Sequence, residues 1–175
     1  MIKPDEIANE KQIYLLAEKV LKLMQARQLK LVTVESCTGG MIAAAITAVP
    51  GSSAVFERGF VTYSNEAKME LVGVSAQTLA QHGAVSAKTV REMVEGGLRA
   101  SNKRAQVGIA VTGVAGPDGG SEQKPVGTVC VAWKILTIPT IVKQFCFTGD
   151  RKAVRLQTTS FALAELSDFL SNFSL

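Results

Sequence analysis

The chain has 175 residues, 47% hydrophobic and 19% charged, which suits one folded domain spanning 1–175 and excludes a disordered or fibrous protein. Its net charge of +4 is scattered, with only Lys103-Arg104 and Arg151-Lys152 adjacent and no basic aromatic stripe, so no nucleic-acid surface is expected. Cys37, Cys130 and Cys146 show no Cys-x-x-Cys spacing, and no apolar stretch reaches membrane-spanning length; a reducing cytoplasm is expected, with no disulfide framework, zinc site or membrane span.

Ile13, Leu16, Ala17, Val20, Leu21 and Met24 recur at helical spacing, which predicts an amphipathic helix over 6–28. Leu31 to Glu35 reads as a strand, Ser36-Cys37-Thr38-Gly39-Gly40 as a tight turn, and 39–48 as a small-residue helix. That turn lifts Ser36 out at a strand end. The unpaired N–H groups of the first helical turn, beside Gly39 and Gly40, then point at the same spot and predict a phosphate or oxyanion site. The alternative is a plain βα turn whose glycines serve geometry alone.

Pro50-Gly51-Ser52-Ser53 is a break, and Val55 to Tyr63 reads as a strand bulged at Gly59. Ser64-Asn65-Glu66 caps a short helix carrying Lys68, and Ser75 and Ser86 cap two more. In the second of these, Val90, Met93, Val94, Gly97 and Leu98 share one face. Gln106 to Thr112 is a strand, and 113–120 is a glycine-rich loop. Gly127 to Trp133 and Thr140 to Phe147 form an antiparallel pair turning near Pro139. A last helix starts near Asp150, with Val154, Thr158, Phe161, Ala162, Leu166, Phe169 and Phe173 as its buried stripe and Glu165 intruding without explanation. Strands alternating with helices, plus one hairpin, predict an α/β fold, a three-layer α/β/α sandwich on a mixed sheet. No dinucleotide fingerprint surrounds Gly108.

Three loops at strand ends, 35–40, 63–68 and 112–120, hold most of the reactive side chains, and ligands of open α/β sheets collect at such ends. A serine nucleophile needs a base. The single histidine, His82, reads as the end of a helix, where an imidazole favours the dipole. Lys68 is the better candidate: in the first turns of its helix an ammonium is disfavoured, burial lowers its pKa further, and the Tyr63 hydroxyl can relay or orient the proton. A solvated helix lysine is the bland alternative. Ser121-Glu122-Gln123-Lys124 matches a Ser-x-x-Lys pattern but lies in a Gly/Pro loop, so it is set aside as chance. Cys37 lies near a helix start that lowers a thiol pKa, and only one of Ser36 and Cys37 is expected to face the pocket. Thr112 and Gly113 offer a hydroxyl and a backbone N–H to a substrate, or simply end a strand. Arg151 pairs with a phosphate, or, by default, with Asp150.

Glu35-Ser36-Cys37-Thr38-Gly39-Gly40, Pro50-Gly51-Ser52-Ser53, Val61-Thr62-Tyr63-Ser64-Asn65 with Lys68, Gly83-Ala84-Val85-Ser86, Thr112 to Pro117, and Pro125-Val126-Gly127-Thr128 resemble, in order, the CinA C-terminal domain family. The resemblance covers nearly the whole chain from about residue 10. It implies an α/β/α fold and hydrolysis of nicotinamide mononucleotide to nicotinate mononucleotide and ammonia, in pyridine nucleotide salvage. It also implies Ser36 as nucleophile, Lys68 and Tyr63 as its activators, and Thr112 and Arg151 as substrate-holding residues. From the turns themselves, Gly39, Gly40 and Gly113 are expected to contact the substrate as well. No cofactor or metal is expected, a homo-oligomer is, and the nucleotide-processing domain of longer relatives is absent from the sequence. A second reading is a regulatory module, linked to competence or DNA damage, that binds a pyridine nucleotide without cleaving it; a third is a hydrolase of a different amide.

Overall fold

The structure is a computed structural model that describes residues 9–135 and 138–172. Helix α1 (Glu10–Gln25) opens on Asn9, whose side chain accepts from Gln12 N at 2.8 Å. It ends short of the expected residue 28 because Gln28 takes the left-handed conformation, φ 53°; residues 6–8 of the expected helix lie outside the described residues. Strand β1 (Leu31–Glu35) is buried throughout, as a central strand covered on both faces must be. Helix α2 (Met41–Thr47) starts two residues later than expected, since Gly39 and Gly40 sit at φ +61° and +95°, outside helical space.

Ser52–Ala54 forms one 3₁₀ turn before β2 (Phe56–Val61). The expected irregularity is present but displaced. Leu31 pairs with Phe56 and Val32 with Arg58, so the extra residue is Glu57, while Gly59 pairs in register with Thr33. Gly59 has a different reason: a Cβ there would lie 2.9 Å from Thr33 Oγ1 and 3.4 Å from Ala43 of α2.

Helices α3 (Asn65–Val72), α4 (Ala76–His82) and α5 (Ala87–Ala100) begin on the serine caps Ser64, Ser75 and Ser86. Strand β3 (Val107–Gly113) runs one residue further than expected and takes in Gly113. Strands β4 (Thr128–Ile135) and β5 (Ile141–Cys146) form the expected antiparallel pair; 136–137, in their turn, lie outside the described residues. Helix α6 (Arg151–Asn172) is capped by Asp150 Oδ1, which accepts from Ala153 N at 2.8 Å. Glu165 is explained by Lys143 of β5, whose Nζ lies 2.6 Å from its carboxylate; Phe173 falls outside the described residues.

The sheet order is β2-β1-β3-β4-β5, with β1 parallel to β2 and β3 and the last two strands antiparallel. Helices α1, α2 and α6 cover one face, over a core that includes Leu31, Ile109, Val131, Trp133 and Leu166. Trp133 donates Nε1–H to Ala162 O at 3.0 Å and meets Phe161 and Phe169 edge-on. Helix α5 packs on the other face over Val34, Ala110 and Ala132, with α3 and α4 against it. The mixed α/β architecture is the one the sequence predicts. Its consequence is directional: β1, β2 and β3 are parallel, so their carboxyl ends deliver Glu35-Ser36, Thr62-Tyr63 and Thr112-Gly113 to one edge of the sheet.

Candidate active site

At that edge lies a cavity of about 210 Å³, lined by Ser36, Cys37, Tyr63, Asn65, Lys68, Ala84, Val85, Thr112, Gly113, Ala115 and Arg151. Lys68 reaches it from the fourth residue of α3. Ser64 starts that helix by accepting from Ala67 N at 3.0 Å, and the lysine side chain runs back across the helix start towards β1. Lys68 as a whole is 1% exposed. Nζ lies 3.1 Å from Ser36 Oγ, 2.8 Å from Thr62 O and 3.4 Å from Ser64 O.

All three neighbours can accept from the amine. A neutral lysine has two N–H donors and one lone pair; once Lys68 loses its proton, the Thr62 and Ser64 carbonyls, which can only accept, take the two N–H groups and leave the lone pair for the Ser36 hydroxyl. Burial pushes the Lys68 pKa below its ordinary 10.5, because the charged form loses its hydration; Cys37 as a thiolate and Glu66 would oppose this. Cys37 does not, since burial holds its own pKa up at about 12 and the thiol stays protonated. A helix start does not activate this cysteine, contrary to the sequence expectation: it precedes α2 by four residues and is buried. Both Ser36 and Cys37 line the cavity, although only one was expected to.

The expected anion site at the start of α2 is also corrected. Glu35, buried at the end of β1, turns its carboxylate onto that helix start. Its Oε2 accepts from Thr38 Oγ1 at 2.7 Å, Gly40 N at 3.1 Å and Ile42 N at 3.0 Å, and Oε1 accepts from Ala43 N at 2.9 Å. These donors are spent within the protein. Gly39 and Gly40 are outside the cavity lining; they shape the turn. Behind them Arg155 donates Nη2–H to Thr38 O at 2.8 Å.

On the other wall, Thr112 donates its hydroxyl to Ala84 O at 2.9 Å and so holds the segment that brings Ala84 and Val85 to the cavity. Arg151 donates to Gly116 O at 2.8 Å and to the Tyr63 hydroxyl at 2.6 Å. Asp150 is occupied as the α6 cap, and among the described residues Arg151 has no carboxylate partner. Its charge faces the cavity mouth unneutralised. Tyr63 is 59% exposed and its hydroxyl meets Arg151, with no hydrogen bond to Ser36 or Lys68 among the described residues.

His82 ends α4 as expected and is not among the cavity residues; its carbonyl accepts from Lys124 Nζ at 3.0 Å. Ser121 and Lys124 form a surface turn. Sequence reasoning missed Asn65, Ala84, Val85 and Ala115 as lining residues, although each sits inside a segment singled out for other reasons. Larger clefts, of about 270, 390 and 410 Å³, lie among α1, α2, α6 and β2, and among the described residues no hydroxyl lining one of them is hydrogen-bonded to a lysine or carboxylate of the same lining. Among the described residues no three His, Cys, Asp or Glu side chains gather to hold a metal ion, and no helix is long and apolar enough to cross a membrane.

The arrangement has the parts that acyl transfer needs: a serine hydroxyl, an amine in contact with it whose charged form burial disfavours, and a cation at the mouth that suits an anionic substrate. Comparison with known proteins points the same way. Residues 14–170 match the CinA C-terminal domain. The chain is 51% identical to the nicotinamide-nucleotide amidohydrolase PncC of Escherichia coli over 165 residues, 94% of this chain and 99% of that protein. It is 49% identical over 150 residues to a protein of Caldicellulosiruptor bescii named for competence-damage induction, covering 85% of this chain and 36% of that one. Among solved structures, the competence/damage inducible protein CihA from Agrobacterium tumefaciens superposes with a TM-score of 0.88 at 42% identity, covering 92% of this chain and 96% of that one.

Proposed function

The chain belongs to the CinA C-terminal domain family, and on that premise we propose that it hydrolyses the carboxamide of nicotinamide mononucleotide to nicotinate mononucleotide and ammonia, in pyridine nucleotide salvage. One observation carries the mechanism: Lys68, a residue 1% exposed, places its Nζ 3.1 Å from Ser36 Oγ. Lys68 takes the Ser36 proton directly as Oγ attacks the carboxamide carbon, giving a tetrahedral oxyanion. The ammonium so formed returns the proton to the departing nitrogen, and ammonia leaves an acyl-Ser36 ester. Water then attacks the ester carbon with Lys68 again taking the proton. Collapse frees the nicotinate carboxyl and restores the serine hydroxyl.

The cavity is smaller than the roughly 300–1,000 Å³ of ordinary ligand sites, so it takes the pyridine end of a nucleotide and leaves the phosphate at the mouth. Arg151 meets the phosphate there. Direct contact between base and nucleophile makes a relay unnecessary, so Tyr63 acts by orienting Arg151 rather than by moving a proton. Thr112 supports the wall that includes Ala84 and Val85, and Gly113 ends β3 beside it.

The test is ammonia release from nicotinamide mononucleotide by the wild type and by Ser36→Ala. The expected result is release by the wild type, background rates in the variant, and nucleotide binding retained in both. Binding without any ammonia from the wild type would instead make the protein a pyridine-nucleotide sensor.

A further inference from the structure

We propose that Glu35 is the positioning residue of the Ser36 turn, and that the backbone N–H it leaves for the tetrahedral oxyanion is that of Cys37. This rests on the acyl-transfer reading of the site.

The N–H groups from Ser36 to Ala44 can be followed one by one. Ser36 N donates to Val111 O at 3.0 Å, which ties the nucleophile to β3; Gly39 N donates to Ser36 O at 3.0 Å. Gly40, Ile42 and Ala43 donate to the Glu35 carboxylate. Met41 N turns to Thr38 O at 3.4 Å, and Ala44 N bonds Gly40 O. Only the N–H groups of Cys37 and Thr38 donate to no oxygen among the described residues; both face the Cys37 sulfur, a weak acceptor that an oxyanion displaces. Thr38 is fully buried and lies outside the cavity lining, whereas Cys37 is part of it, next in the chain to the nucleophile. An oxyanion formed on a carbon bonded to Ser36 Oγ develops beside that N–H, the relation found where the residue after a nucleophilic serine supplies the donor.

Glu35 makes this possible in two ways. With both oxygens accepting, it removes from competition the donors that would otherwise pull an anion deeper, towards α2. It also fixes both ends of the turn, since its own backbone belongs to β1 while its carboxylate grips residues 38, 40, 42 and 43. A glutamine fits the same space but cannot do the same. Its amide oxygen can replace Oε2, but its NH₂ then faces the Ala43 N–H, donor against donor.

The experiment measures Glu35→Gln by steady-state ammonia release and, separately, by the rate at which a fluorophosphonate labels Ser36. The phosphonyl oxygen of that probe occupies the oxyanion position and needs no nucleotide. Expected is a fall in kcat of about 10²-fold, the scale of one lost oxyanion donor, with KM within about threefold and labelling slowed in parallel. As a control for stability alone, Asn9→Ala removes the cap of α1 and lowers Tm without changing kcat or labelling. Should Glu35→Gln fail to fold, Thr38→Val removes only the 2.7 Å hydroxyl contact to the carboxylate, and the same parallel fall in kcat and labelling, of at least threefold, is expected. Labelling and kcat in Glu35→Gln within threefold of wild type, or an unchanged Thr38→Val where the first is unfolded, would overturn the proposal. A wild type that labels at Ser36 yet releases no ammonia refutes the substrate assignment alone, and the labelling comparison still decides the role of Glu35.

Discussion

Lys68→Ala separates the proposed mechanism from every reading in which this lysine is structural. The side chain is 1% exposed and its amine touches the nucleophile, so truncation removes the proton acceptor without reaching the cavity mouth where Arg151 sits. Loss of a general base costs about 10²–10⁴ in rate. At about 1.36 kcal/mol per tenfold, that range is about 2.7–5.4 kcal/mol of barrier. Truncation also orphans the Thr62 carbonyl, a stability cost of about 1–3 kcal/mol that is offset by no longer burying an amine. Kinetics should therefore be read well below Tm. The assay is continuous ammonia release across pH. Wild-type kcat/KM should rise with pH and level off at a midpoint below 10.5, as burial lowers the Lys68 pKa; the alanine variant should lack that rise. Small primary amines should restore part of the rate by entering the space vacated by the side chain. KM should change little, since the lysine binds no part of the nucleotide outside the reacting centre. A variant turning over within tenfold of wild type would remove Lys68 from the chemistry, whatever its contacts.

Other consequences follow from the same geometry. In the folded state the Lys68 pKa lies below 10.5, so between that lowered value and 10.5 the unfolded chain holds a proton the folded one has lost, and wild-type stability rises with pH through the window. The Tm of Lys68→Met minus that of wild type should accordingly be largest below the window and shrink across it; a difference independent of pH contradicts the buried-amine account. Arg151→Ala should raise KM roughly 10–100-fold, the worth of a charge-assisted bond of about 1.5–3 kcal/mol, with kcat little changed. Tyr63→Phe should keep kcat within about fivefold; a loss of about 10² or more would reinstate the tyrosine as a proton relay. Gly96→Ala should destabilise by about 3 kcal/mol, a Tm fall of about 6–12 °C by calorimetry, because its Cβ would lie 1.8 Å from Val72 O. An unchanged Tm there would mean that α3 moves away from α5 without cost.

What the sequence disclosed was whatever is carried by neighbours along the chain. The β1 run, the glycines that delay α2, the serine caps of α3, α4 and α5, and the pairing of β4 with β5 are each written in a short window, and each is found within a few residues of its expected place. Misplaced features depend on partners far away in sequence. The bulge at Glu57 is set by register against β1, and Glu165 makes sense only beside Lys143. Arg151 stands next to Asp150 in sequence, yet its partners are Gly116 and Tyr63, the latter 88 residues away. Glu35 is the sharpest case. It closes a strand and is read as the strand's last residue, but its carboxylate acts on residues three to eight positions further on and cancels the anion site that the glycine turn alone would offer.

The reactive pair depends in turn on a glycine that no motif contains. Parallel β1 and β2 bring Ser36 and Thr62 to the same sheet edge, but a lysine held on a helix reaches Ser36 only if that helix lies low over the sheet. Gly96 of α5 permits this, for α3 approaches until the Val72 carbonyl occupies the space where any other residue would carry a Cβ. The same descent takes the Lys68 amine out of water, and the loss of hydration that makes it costly to charge is what leaves it basic towards a hydroxyl at lower pH. Packing and reactivity at this site are thus one effect. A substitution at Gly96 that raises α3 should return the Lys68 pKa towards 10.5, shifting the rising limb of the pH–rate profile upward as well as lowering Tm.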